Sequence, residues 1–187
     1  MKTPILLLFC CCILIQLNAQ TTSSEELGLK HSLPKGQSQL GVSTSLNGTY
    51  SLSHRFAIKD NLLLRTRFNI PSISFIKSED NSLGFFSINA HLGLEKHTPI
   101  GKKWTAYYGG EIGVGNSRIN SGATVSRIQR ISIAGFVGIK YNVKDKISLF
   151  AEYLNGYGYS KKSQSNDYIQ NQFSSFSPIR VGVLIRL

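Results

Sequence analysis

Arg65 and Arg67 stand two positions apart in the run Leu62-Leu63-Leu64-Arg65-Thr66-Arg67-Phe68-Asn69-Ile70. In an extended chain alternate side chains point to opposite faces, so this spacing puts both guanidinium groups on one side, with an apolar row behind them. Glu111, Lys140, Glu152, Arg180 and Arg186 take the same polar-row position in later alternating stretches. Two carboxylates, Glu111 and Glu152, are the residue types of a general acid–base pair. Set among these cations they are better read as members of an ion network, because a charge withdrawn from water must be paired.

Other chemistries find less support. A lipid deacylase carried on a strand needs His-x-Ser, but His54, His91 and His97 are followed two residues later by Phe56, Gly93 and Pro99. His31-Ser32 lies in a polar N-terminal stretch without a period. No His, Asp or Glu grouping has metal-ligand spacing. Gly113-Val114-Gly115 and Gly156-Tyr157-Gly158 lack the third glycine and the βαβ setting of a nucleotide site. In strands such glycines relieve crowding or permit bending. The reading is therefore of a chain with no catalytic residues, metal or cofactor.

The elements that must position these charges are eight apolar/polar alternations, at residues 38–46, 49–58, 62–70, 84–94, 104–114, 127–141, 147–157 and 176–187. Between them, connections alternate in length. Asn47-Gly48 reads as a two-residue type I′ hairpin turn, in which both central residues need positive φ. Residues 59–61, 95–103 and 142–146 read as short charged turns, and 71–83, 115–125 and 158–175 as long polar loops, the first set off by Pro71. An even number of strands with long loops at one end only predicts an all-β fold: an eight-stranded, antiparallel, up-and-down transmembrane β-barrel.

Alternation alone does not say which row faces in. A soluble lipocalin-like barrel, with its apolar row inside, is the alternative. Three features favour lipid outside, the first being the asymmetry between short turns and long loops. The charged row contains both signs, able to pair across a narrow bore. The apolar row places Phe56, Trp104 and Tyr141 at one set of strand ends and Phe68, Phe86 and Tyr153 towards the other, as two aromatic girdles. Turning the third and eighth strands over would expose four arginines at about 2–4 kcal/mol each near the midplane. Against a typical net stability of about 5–15 kcal/mol that register should lose.

Export is written at the N-terminus. Lys2 precedes an apolar stretch at residues 5–17, and Leu17-Asn18-Ala19 ends in the small residue a signal peptidase needs, so 1–19 is expected to be a cleaved signal peptide. About 13 apolar residues are too few to span a roughly 30 Å hydrocarbon core. All three cysteines, Cys10, Cys11 and Cys12, lie inside this stretch, so the exported chain has no disulfide or thiol chemistry. Residues 20–37 read as a polar periplasmic leader and 38–187 as the barrel. Loss of Lys2 lowers the formal charge from +11 to +10. The charges are spread along an exported chain, which argues against nucleic acid and for an anionic lipopolysaccharide surface.

The hairpin Phe56-Ala57-Ile58-Lys59-Asp60-Asn61-Leu62-Leu63-Leu64, the Gly/Tyr-rich strands at 107–114 and 135–141 and the closing strand at 180–187 resemble the small outer-membrane β-barrel domain family of Gram-negative bacteria, of OmpA/OmpX type. The last residue, Leu187, departs from the terminal aromatic that such barrels often carry. The resemblance implies a fold, a location in the outer membrane, and as partners its lipids, lipopolysaccharide and the barrel-assembly machinery. It implies no single activity. A non-enzymatic surface barrel serving surface interaction or envelope integrity, with an unidentified extracellular partner, is the first expectation; a small channel and a lipid-modifying enzyme are the others.

Overall fold

A computed structural model describes residues 33–77, 82–121, 124–164 and 169–187. The expected signal peptide and most of the expected leader lie outside the described residues. The described residues form nine antiparallel strands: β1 (Ser38–Ser45), β2 (Tyr50–Lys59), β3 (Leu62–Lys77), β4 (Ser82–Pro99), β5 (Trp104–Ser121), β6 (Thr124–Lys144), β7 (Ile147–Gln164), β8 (Ile169–Phe176) and β9 (Ile179–Arg186). Each of β1 to β6 pairs with the next, β6 pairs with β7, β7 with β9, and β9 returns to β1. The sheet is closed.

β8 and β9 are one stave of the cylinder, so eight staves carry the nine strands. Both run along β7 in a single register, from Ser163↔Ile169 to Gly156↔Phe176 and on from Tyr153↔Ile179 to Ile147↔Ile185. The break falls at Ser177-Pro178, where proline has no N–H to give a ladder; the Pro178 carbonyl still accepts from the Leu154 amide at 3.0 Å.

The register fixes the barrel's shape. Starting from Arg186 and stepping from partner to partner, the circuit passes Gln39, Arg55, Arg65, Gly93, Glu111, Ala134 and Gly156 and returns to its own stave at Phe176. The return falls ten residues from the start, so the strands are staggered and tilted. At eight staves the interior is just wide enough for side chains to fill.

Several expected loops are strands. β4 continues through Glu95 and His97 to Pro99, and β5 and β6 stay paired from Trp104↔Tyr141 out to Ser121↔Thr124. β7 and β8 likewise occupy much of the expected loop at 158–175. A hydrogen-bonded ladder needs no apolar row once it projects beyond lipid, so Ser, Asn and Gln hide it from a reading based on hydropathy. β3 also passes through Pro71, which sits at the register shift between Asn69 and Ser72, a bulge where a missing donor costs little. The first hairpin departs from type I′ as well: of Asn47 and Gly48 only Gly48 has positive φ, at 81°. With the Gly48 amide bonded to the Ser45 carbonyl at 2.9 Å, it is a type I turn followed by a left-handed glycine.

The two faces have opposite chemistry. The outer row carries large apolar residues open to the surroundings along every stave, among them Leu52, Phe68, Leu92, Ile112, Ile133, Leu149 and Ile185. The inner row buries Arg55, Arg65, Arg67, Glu95, Glu111, Lys140, Glu152 and Arg180. This is the reverse of a lipocalin-like interior. Leu33, Ala57 and Leu63, each fully buried, form a small apolar cluster beside the short turn between β2 and β3.

Candidate functional site

Three carboxylates organise the bore. Glu152 on β7 takes a two-pronged bond from Arg65 on β3: Nη1 donates to Oε2 and Nη2 to Oε1, each at 2.7 Å. Tyr107 donates its hydroxyl to Glu152 at 3.3 Å, and Arg180 Nη1 approaches it to 3.7 Å. Glu95 on β4 meets Arg55 Nε at 3.2 Å and Arg65 Nη1 at 3.4 Å, and contacts the His97 ring. Glu111 on β5 is bonded by Arg67, whose Nη1 also donates to Asn69 Oδ1 at 2.7 Å, and lies 3.5 Å from His91 Nδ1. Arg65 touches all three acids, reaching Glu111 at 3.9 Å.

Aromatic rings complete the packing. The Arg55 guanidinium lies over Tyr107 at 5.2 Å and Phe150 at 4.9 Å, and that of Arg65 over Phe136 at 4.5 Å. Away from water such contacts contribute about 2 kcal/mol. Several bulky inward groups have a glycine directly across the ladder. Tyr107 faces Gly138, Phe136 faces Gly109, Phe150 faces Gly182, Phe176 faces Gly156, and Glu111 faces Gly93. A Cβ at Gly138 would sit 2.4 Å from the Tyr107 ring, and one at Gly182 would sit 2.7 Å from Phe150. Large residues opposite absent side chains let a narrow cylinder fill without strain.

Of the charges singled out in the sequence, Arg65, Arg67, Glu111, Glu152 and Arg180 meet in this network. Lys140 is fully buried, yet its Nζ has no hydrogen-bond partner among the described residues, and neither has Arg186 Nε at the end of β9. The sequence reading passes over Arg55, Glu95 and His97. Arg55 alternates with the apolar row of β2 two positions from Ser53, a visible signal; Glu95 and His97 fall in a stretch with the composition of a turn. Of the aromatic residues, Trp104 and Tyr141 pack with ring centroids 4.7 Å apart beside the short turns. Phe56 is on the outer face near the same end. Phe68, Phe86 and Tyr153 also lie on the outer row but not at one level: Phe68 pairs with Ala90, four residues from Phe86 along β4.

Beyond the network, at the end carrying the long hairpins, the bore opens into a cavity of about 500 Å³. Its walls include Arg130, Arg180, His91, Asn69, Asn89 and Phe176. The mouth lies directly above the arginine–glutamate layer.

A closed sheet that is apolar outside and ionic within is a transmembrane β-barrel. The chain has the fold of the small barrels of bacterial outer membranes. It matches the N-terminal β-barrel domain of Pseudomonas aeruginosa OprF with a TM-score of 0.60 and 13% identity, over 83% of this chain and 100% of that one. Neisserial surface protein A matches with a TM-score of 0.50 and 17% identity, over 81% and 94%. A major outer membrane protein from Thermus thermophilus matches with a TM-score of 0.51 and 8% identity, over 81% and 98%. No protein-family model and no curated protein matches the sequence.

Proposed function

We propose that this chain is a non-enzymatic outer-membrane protein of a Gram-negative envelope, exported by the N-terminal signal and inserted by the barrel-assembly machinery. In this reading the short turns face the periplasm and the long hairpins face outward. There they meet lipopolysaccharide or a surface partner and support adhesion or envelope integrity. The observation that carries the proposal is the filled bore: Arg55, Arg65, Arg67, Glu95, Glu111 and Glu152 occupy the space a solute would cross. The absence of nucleic-acid, cofactor and catalytic signatures in the sequence is in keeping with it.

Shortening the β7–β8 hairpin in the native host tests the role. Impaired adhesion or greater detergent sensitivity, with normal membrane insertion, is the expected result; unchanged behaviour in both assays would contradict it. Protein refolded into planar bilayers should give no steady conductance, and overexpression should leave lipid A masses unchanged. Steady conductance would favour the channel, and shifted masses the lipid-modifying enzyme.

A further inference from the structure

The bore holds more buried positive than negative groups. Arg55, Arg65, Arg67, Lys140 and Arg180 are buried, against Glu95, Glu111 and Glu152. At the hairpin-end mouth the imbalance is open to a ligand. Its lining contains Arg130, Arg180 and His91 and, among the described residues, no carboxylate. Glu111 and Glu152 lie beneath, bonded by Arg67 and Arg65 respectively. Arg180 is 7% exposed, and among the described residues its Nη1 has no hydrogen-bond partner, the nearest acid being Glu152 at 3.7 Å. His91 turns Nδ1 towards Glu111 and, among the described residues, leaves Nε2 buried without a partner.

The glycines of β5 keep this space open. His91 and Asn89 lie over Gly113 and Gly115, their ladder partners; a Cβ at Gly113 would meet His91 Nδ1 at 2.3 Å, and one at Gly115 would meet Asn89 Oδ1 at 2.0 Å. The cavity of about 500 Å³ is larger than a bare oxyanion needs and lies within the size range of small-molecule sites. Its floor offers N–H donors, while Phe176 supplies apolar wall on one side.

We propose that the mouth is a binding site for an oxyanion carried on a sugar, a phosphorylated or sulfated saccharide entering from the hairpin end. Arg180 and Arg130 hold the oxyanion, Asn89 adds an amide donor, and the sugar ring rests against Phe176. Charged donors facing an anion in a partly dehydrated site are the strong kind of hydrogen bond. The site requires the barrel's mouth but not the hairpin contacts proposed above, so either can fail while the other stands.

The test is titration calorimetry on the full chain purified from host membranes in a zwitterionic detergent. Glucose 6-phosphate and glucose 6-sulfate should both bind, glucose should give no heat, and inorganic phosphate should bind more weakly than the sugar phosphate. Arg130→Gln, at an exposed position, should weaken glucose 6-phosphate by about tenfold, and Arg180→Gln by more. Arg186→Gln, at the other end of the barrel, should leave binding unchanged. Heat-modifiable gel mobility reports separately that each variant is folded. Absence of binding, or equal affinity in wild type and folded Arg130→Gln, would overturn the site. Inorganic phosphate binding as tightly as the sugar phosphate would overturn the saccharide assignment.

Discussion

The barrel's bore and its projecting hairpins share one hydrogen-bonded ladder but obey different side-chain rules. Within the bore, large aromatic groups face glycine: Tyr107 opposite Gly138, Phe150 opposite Gly182. Charge pairs form across the cylinder, as where Arg65 on β3 reaches Glu152 on β7. Along the hairpins most residues are polar and all of β8 but Phe176 is exposed, Tyr159 and Phe173 forming an aromatic pair on that exposed ladder. Where lipid and a narrow lumen constrain the ladder, each position has a required size and polarity. Where water surrounds it, backbone bonds alone carry the strand.

Substitutions can break that contrast, and the largest effect should come from the network's centre. Glu152→Ala leaves Arg65 without its two-pronged partner in a buried site, a loss of about 3–5 kcal/mol. It should lower the temperature of the gel-mobility shift markedly, and Arg65→Ala should do likewise. A wild-type shift temperature in both would mean that the network contributes little. Next comes packing: Gly138→Val drives a side chain into Tyr107 and should cost about 1–3 kcal/mol. Tyr107→Ala in the same chain should recover part of that loss, and equal urea midpoints for the single and double variants would remove the large-against-small account.

Lys140 sharpens the comparison in the opposite direction. Its amine is buried without a hydrogen-bond partner among the described residues, so Lys140→Met should stabilise by about 1 kcal/mol or more. A lower urea midpoint would show that the charge is compensated. The smallest effect belongs to the hairpins: polar exchanges along β8, such as Gln170→Ser, should change stability by about 0.5 kcal/mol or less. A loss as large as that of Gly138→Val would erase the distinction between the two regions.

The same distinction explains what could be read in the sequence. The inward and outward rows of the lipid-spanning segments were legible because each alternates one type of residue: Ile131, Ile133, Val137 and Ile139 against Ala134, Phe136 and Lys140. The hairpin strands were not, because residues 115–121 and 169–175 are mostly polar, and Ile119, Ile169 and Phe173 set up no sustained apolar row. Two inward charges were missed for different reasons. Glu95 sits next to Lys96 and His97 near Pro99, a composition that imitates a turn, whereas Arg55 carries the alternating signal but stands as a single charge on its row between Ser53 and Ala57. The pairing of Tyr107, Phe136, Phe150 and Phe176 with glycines depends on register across strands, which one strand's pattern cannot supply.

The central claim is the direction the two rows face, and spin labels at adjacent positions test it most directly. The expected exported chain has no cysteine of its own, so single-cysteine variants Ser132→Cys and Ile133→Cys can be labelled in the refolded, lipid-reconstituted barrel. The account predicts fast relaxation by oxygen, which partitions into lipid, for the label at 133 and little at 132. Oxygen access at 132 with none at 133 would put the apolar row inside and contradict it.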